Sequence, residues 1–324
     1  MKTMPGTTRR TSTSRTSPAR SPAPTPVVET VVPVDLSGPL LALFQRANGL
    51  LDRLETLLPA PLSEPDWHAS VAFRWVSKGG RKQLVPVHKL SPIAYDDLIG
   101  IEDQRRKVER NTRQFVQGKP ANNVLITGSR GTGKSSLVKA SLNKFARQGL
   151  RLIEVDKADL VDLPELTDLL AARPERFIVF SDDLSFEEGE PGYKALKSVL
   201  DGSVSATADN VLIYATSNRR HLMPEYLQEN LSYKHLENGE IHPGEVVEEK
   251  ISLSERFGLW VSFYPYSQDE YLRIAAHWLR AFGVTDRQMD KALQESLVWA
   301  LERGSRSGRV AWQFARDWAG RGGK

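Results

Sequence analysis

Cysteine is absent from the 324 residues, which excludes a disulfide framework, a thiolate metal site and a cysteine nucleophile together and fits a reducing compartment such as the cytoplasm. No run of eighteen apolar residues occurs either, so no membrane-spanning helix is expected. The six histidines never fall at HxxxH-type spacing, and a histidine metal site would need ligands from distant segments. Basic excess on the body is also scarce. The formal charge is +4, but residues 1–38 hold Lys2, Arg9, Arg10, Arg15 and Arg20 against Glu29 and Asp35, which leaves +1 for everything after them. A body so close to neutral argues against binding nucleic acid by phosphate neutralisation.

With 40% hydrophobic residues the chain can bury a real core. Residues 1–38 cannot contribute to it, being Ser, Thr, Pro and Arg with few large apolar side chains, and read as a disordered tail. The prolines at 18, 22, 24 and 26 disfavour the alternative, the amphipathic helix of a transit peptide. Residues 39–92 form a small N-terminal unit. Leu40, Leu43, Phe44, Leu50, Leu51, Leu54, Leu57 and Leu58 recur at helical spacing up to Pro59, and "SVAFRWVSKGGRKQLVPVHKL" alternates apolar and polar around Gly79-Gly80 as a β-hairpin does.

From 93 to 266 short β-branched runs alternate with helical segments: "NNVLIT", "RLIEV", "FIVF", "VLIYAT" and "LWVSF". Such alternation predicts an α/β domain with a five-stranded parallel sheet flanked by helices. Residues 267–324 switch to helical periodicity alone, with helices expected over 268–282, 286–303 and 309–319, an all-helical lid. Its tryptophans, Trp278, Trp299, Trp312 and Trp318, recur on helical faces and read as core packing without a ligand role.

The stretch carrying the chemistry is "GSRGTGKSS". It matches GxxxxGK[ST], which chance would produce in about one chain in a hundred of this length, and it follows a strand and opens a helix. In that setting Gly128, Ser129, Arg130, Gly131, Thr132 and Gly133 curl the backbone so that N–H groups face a phosphate. Lys134 supplies a point charge, Ser135 a magnesium ligand, and Ser136 continues the helix N-terminus. Two adjacent acids after a buried strand, Asp182 and Asp183 in "FIVFSDDLSF", meet the need for a magnesium carboxylate and a water-orienting one at the end of a neighbouring strand; Glu187 and Glu188 are alternatives for the water. Asn218, ending the next strand in "ATSNRR", can reach the γ-phosphate or serve a turn.

P-loop, acid pair and Asn-ended strand in this order, followed by "SERF" and a helical tail, resemble the AAA+ ATPases. The resemblance implies ATP and Mg2+, an adenine enclosure through Leu98, Ile99 and Gly100 of "AYDDLIGIEDQ", and an arginine finger, Arg256 of "SERFGLWVSFYP", that acts on the neighbour's nucleotide in a homo-oligomer. Its alternative is a salt bridge with Glu255 or Glu249. "SRSGRVAWQF" is similar to the family's second-sensor helix, which assigns Arg309, with Arg306 in reserve; Ala311 stands near the usual arginine position. The specific likeness, over 66–318, is to the bacterial AAA+ branch catalogued as a domain of unknown function, number 815, through "DDLSFEEGE", "ATSNRRHLMPEY", "GEIHPGEVVEEKISLSERFG" and "SGRVAWQF".

Two uses of ATP follow. In the first, an oligomeric ATPase remodels a protein partner, with the long, mostly acidic segment 223–251 as a contact or a tether. In the second, nucleotide gates a DNA-binding or loader module through Arg219, Arg220 and the tail arginines.

Overall fold

The computed structural model describes residues 37–57, 65–78, 81–186, 190–202, 208–219, 222, 234–235, 241–242 and 253–322. Glu187, Glu188, Arg220, Glu249, nearly all of the 1–38 tail and nearly all of the 223–251 segment lie outside them. The chain divides into two units, 1–58 and 59–324. The first contributes one described helix, α1 (Ser37–Leu57), as the three-and-four spacing of its leucines predicts. Leu40, Leu43, Phe44, Leu50 and Leu51 on it are exposed.

The second unit is built on a seven-stranded sheet and a separate strand pair. In chain order the strands of the sheet are β1 (Ala72–Lys78), β2 (Arg81–Pro86), β3 (Val124–Gly128), β4 (Leu150–Val155), β5 (Arg176–Ser181), β6 (Val211–Ser217) and β9 (Leu259–Phe263), while β7 (Lys234–His235) and β8 (Ile241–His242) form the antiparallel pair. The sheet order is β2-β1-β4-β5-β6-β3-β9. β3, β4, β5, β6 and β9 are the five expected strands, and all of their pairings are parallel.

Alternate residues of these strands feed two cores. Leu125, Phe177, Val179 and Ile213 face one, and Val124, Ile126, Ile178, Phe180 and Tyr214 face the other. Both faces need cover, so the strands read as continuous apolar runs. α4 (Leu163–Ala171) and α5 (Pro191–Asp201) close the first face through Leu163, Leu166, Leu170 and Leu196. α2 (Glu102–Val116) and α3 (Lys134–Phe145) close the second through Val108, Phe115, Leu137 and Val138.

Two features go beyond the sequence reading. The five parallel strands are extended to seven, because the 72–86 hairpin is part of the same sheet: β1 pairs antiparallel with β2 and parallel with β4. Without it β4 would be an open edge of unpaired backbone groups. Phe73 and Trp75, both fully buried, place their rings in the first core. Trp75 Nε1 donates to Asp162 Oδ2 at 3.1 Å, and Lys82 of β2 closes on Asp162 Oδ1 at 2.9 Å. Burial pushes the Asp162 carboxyl up, but the hydrogen bonds from Lys82 and Trp75 outweigh it and hold it below the usual carboxylate range. The second feature concerns the acid-bearing strand. β5 is not the immediate neighbour of the P-loop strand β3, since β6 lies between them. The insertion sets Asn218, one residue past β6, between the P-loop and the acids, at the carboxyl edge where parallel sheets gather their sites.

Three helices follow β9: α6 (Gln268–Ala281), α7 (Asp286–Glu302) and α8 (Gly308–Gly320). Each begins where the sequence offers a cap. Ser267 accepts from the Glu270 N–H at 3.2 Å while Glu270 accepts from the Ser267 N–H at 2.8 Å, a reciprocal capping box, and Ser307 accepts from the Val310 N–H at 3.3 Å. Tyr271, Ala275, Leu279, Ala292, Phe314 and Trp318 form the interior of this lid. Among the described residues no helix is long and apolar enough to cross a membrane.

Candidate nucleotide site

β3 ends at Gly128, whose φ is +132, and a Cβ there would lie 2.0 Å from the Phe263 carbonyl oxygen of β9. Only glycine allows the strands to stay paired while the chain turns into the loop. The loop then returns to start α3 at Lys134, with Gly133 as an N-cap that has no side chain to offer. The first N–H groups of α3 have no intrahelical partner by helix geometry, and the helix dipole adds positive potential there. They open on a cavity of about 860 Å³.

Lys134 crosses the loop beneath this opening. Its ammonium donates to Gly128 O at 2.7 Å, Ser129 O at 2.8 Å and Asn218 Oδ1 at 2.8 Å, and the residue is 6% exposed. Burial draws its pKa below the usual lysine value, against the pull of Asp182 and Asp183 in the other direction. Asn218 hands the chain of contacts on, its amide donating to Asp183 Oδ1. Ser135 donates to Asp182 Oδ1 at 2.5 Å. Arg130 lies 3.9 Å from the Asp183 carboxylate. Asp183 itself sits at φ +53, the left-handed region, which a non-glycine residue adopts at a cost.

The structure brings Leu98, Ile99, Arg130, Gly131, Thr132, Gly133, Lys134, Ser135, Ser136, Asp182, Asp183, Asn218 and Arg309 onto the wall of one cavity. Gly128 and Ser129 stand behind it and act through their carbonyls. Gly100 is at φ +79 and does not line the space; a Cβ on it would meet the Tyr266 ring at 3.3 Å. Arg256 is not brought in. Among the described residues it pairs with Asp201 at the end of α5.

Several wall residues carry no assignment from the sequence. Trp278 and Trp312 line the cavity with Ile274, whereas Trp299 and Trp318 pack in the lid core, so packing alone describes only the second pair. A helical period marks which side a residue takes, and here the inward side of the lid also roofs a cavity. Tyr266 donates to Thr132 O at 2.6 Å, and a Cβ on Gly131 would meet Ser307 Oγ at 2.8 Å, so the lid sits tight on the P-loop. Thr216 of β6, 1% exposed, donates its hydroxyl to Asp182 Oδ1 and accepts from the Asp183 N–H at 2.9 Å. A lone threonine at a strand end gives no sequence signal of this.

The residues fit a magnesium nucleotide. The donors beside the helix N-terminus, the Ser135 hydroxyl and the Asp182 carboxylate, are hard oxygens. Among the described residues no cluster of three acidic, histidine or cysteine side chains forms a cage. Magnesium characteristically uses one or two carboxylates together with substrate phosphates rather than an all-protein cage.

A P-loop after β3, a strand order of β4-β5-β6-β3-β9 with the acids on β5 and the asparagine on the intervening β6, and a helical lid over the cavity define a P-loop α/β class of protein, the architecture that the likeness to the AAA+ ATPases implies. Within that class, the chain belongs to the family described as "Protein of unknown function (DUF815)", which matches residues 68–322. No curated protein matches it in sequence.

Solved structures similar to it include a threonine-to-valine variant of Thermotoga maritima RuvB, at 16% identity and a TM-score of 0.47, covering 69% of this chain and 63% of that one. A second belongs to the HORMA:CdnC:Trip13 complex of E. coli MS115-1, at 11% identity and a TM-score of 0.45, covering 68% and 89%. A third is a DNA replication initiation factor, at 16% identity and a TM-score of 0.45, covering 72% and 66%. The chain thus spans less than two thirds of the length of the RuvB variant. The class rests on its own strand order, loop and lid.

Proposed function

We propose that this protein binds ATP with Mg2+, hydrolyses it as a homo-oligomer, and couples the turnover to remodelling a protein partner. The observation that carries the reading is the Lys134 ammonium, buried at an uncapped helix N-terminus and linked through Asn218 to Asp183. Such a constellation is suited to holding negative charge and positioning a nucleophile.

In this reading the N–H groups at the start of α3 and the Lys134 charge hold the β- and γ-phosphates, and Arg309 reaches them from the lid. Leu98, Ile99, Ile274, Trp278 and Trp312 enclose the base. Magnesium, when bound, neutralises phosphate charge as it develops, and Ser135 and Asp182 are the groups that would hold it. Asp183 orients the attacking water and Asn218 fixes that carboxylate relative to Lys134. Arg256, which stands outside its own cavity, completes the site of the adjacent subunit. A trans guanidinium contributes on the order of 10³ to 10⁵ in rate where it has been measured. The near-neutral body and the acidic segment 223–251 favour a protein partner.

Mixing Arg256→Ala with Lys134→Ala subunits tests the assembly. Each alone should be inactive, and the mixture should recover part of the phosphate release, because one subunit brings the site and the other the arginine. Failure to recover at every ratio would remove the trans role. Partners captured by the Asp183→Asn protein in ATP should persist after nuclease; loss of all of them would move the reading to nucleic acid.

A further inference from the structure

We infer that Thr216 is a positioning residue that sets the metal-side carboxylate and the water-side carboxylate with one hydroxyl. The inference rests on the proposed ATPase reading and adds to it a residue that no P-loop or acid motif contains. Thr216 is 1% exposed at the carboxyl end of β6, between the P-loop strand and the acid strand. Its single hydroxyl proton goes to Asp182 Oδ1, the same oxygen that receives the Ser135 hydroxyl. Its lone pair accepts the Asp183 N–H at 2.9 Å, and its backbone carbonyl accepts the Leu184 N–H at 2.6 Å.

Three consequences follow from these contacts. A hydroxyl proton directed at Asp182 Oδ1 ties the carboxylate to the cavity wall, where it would meet a divalent cation. Two donors converging on one oxygen fix the carboxylate's rotation, so its second oxygen has a set direction. The bond to the Asp183 N–H anchors the residue whose backbone is in the left-handed region, at φ +53, where any loosening would let it relax and carry its side chain away from Asn218. Only a group that donates and accepts at once can do both. Serine can; valine, of the same shape, can do neither.

The test measures ADP binding to the full chain by calorimetry, in EDTA and along a Mg2+ titration, for the wild type, Thr216→Ser and Thr216→Val. The valine variant should bind ADP in EDTA within about threefold of wild type, since no phosphate-holding group is touched. Its half-saturating Mg2+ should rise by about 10- to 100-fold, the usual cost of removing a partner of a metal ligand. Serine should restore the wild-type Mg2+ titration, and valine's turnover should remain low even at saturating Mg2+, because Asp183 has lost its anchor. Should valine not fold, as judged by circular dichroism, Thr216→Ala carries the same expectation. A valine or alanine variant with wild-type Mg2+ dependence overturns the inference, as does a serine variant as defective as valine, since packing of the methyl would then be the cause. A wild type that binds neither ADP nor ATP would instead overturn the ATPase reading itself.

Discussion

Replacing Gly128 by alanine tests whether β3 and the P-loop are held in the geometry described. The new Cβ would stand 2.0 Å from the Phe263 carbonyl oxygen, 2.8 Å from its carbonyl carbon and 2.9 Å from its Cβ. Real Cβ contacts essentially never fall under 3.0 Å, so the two backbones must separate by at least about 1 Å. Gly128 and Phe263 stand opposite each other on paired strands, and the nearest atoms are backbone rather than a flexible side-chain tip that could swing away. Positive φ adds about 1–2 kcal/mol for an L-residue, and overpacking a well-packed interior typically costs about 1–3 kcal/mol. Together they give about 2–5 kcal/mol of lost stability. Urea unfolding followed by far-UV circular dichroism reads the loss as a lower midpoint, with an unchanged slope if the folded state is otherwise retained. The distortion falls on the carbonyl that Lys134 Nζ uses, so nucleotide affinity should drop as well. A Gly128→Ala protein within about 0.5 kcal/mol of wild type, the spread of neutral surface substitutions, would refute the close approach of β3 and β9 and the loop geometry built on it.

Other parts of the account yield separate outcomes. Trp312→Ala and Trp278→Ala should each weaken ADP binding about tenfold, with folded-state stability reduced less than for Trp318→Ala, which empties the lid core at a cost of about 3–5 kcal/mol; equal effects at all three would return the cavity pair to a packing role. Asp162→Asn should destabilise by about 1–3 kcal/mol at neutral pH, because Lys82 and Trp75 lose their charged acceptor. The folded carboxyl lies below its unfolded value near 3.8, so its contribution is present above that pH and is lost as pH falls through the folded value. The gap between wild type and variant in denaturation should therefore shrink in acid, and a gap independent of pH would contradict the assigned contact. Ser267→Ala should lower stability by about 0.5–2 kcal/mol through loss of the α6 cap, and an unchanged unfolding midpoint would remove that cap from the account.

How far the chain can be read from sequence depends on whether a feature is local. β3, β4, β5, β6 and β9 are legible because a strand buried on both faces must be a continuous apolar run, and the lid helices because each starts at a serine or threonine and keeps a 3.6-residue period. The P-loop is legible because its glycines and lysine must be nearly consecutive. What the 72–86 hairpin pairs with is not legible. Alternation identifies the face that Phe73 and Trp75 present but says nothing of a strand far along the chain, and it is Ile153 and Val155 of β4 that they stand opposite across the ladder. The contact between Thr216 and the two aspartates is of the same kind, made by strand order rather than by spacing. Arg309, assigned by resemblance, stands on the cavity wall; Arg256, assigned in the same way, stands outside it beside Asp201.

Titration of the 324-residue chain with a non-hydrolysable ATP analogue and Mg2+, beside Lys134→Ala, bears most directly on all of this. The account expects saturable binding at one site per chain for the wild type and none for the variant, whose fold should remain intact by circular dichroism. Equal affinity in the two proteins would mean that the buried ammonium holds no phosphate, and the site as described would be wrong.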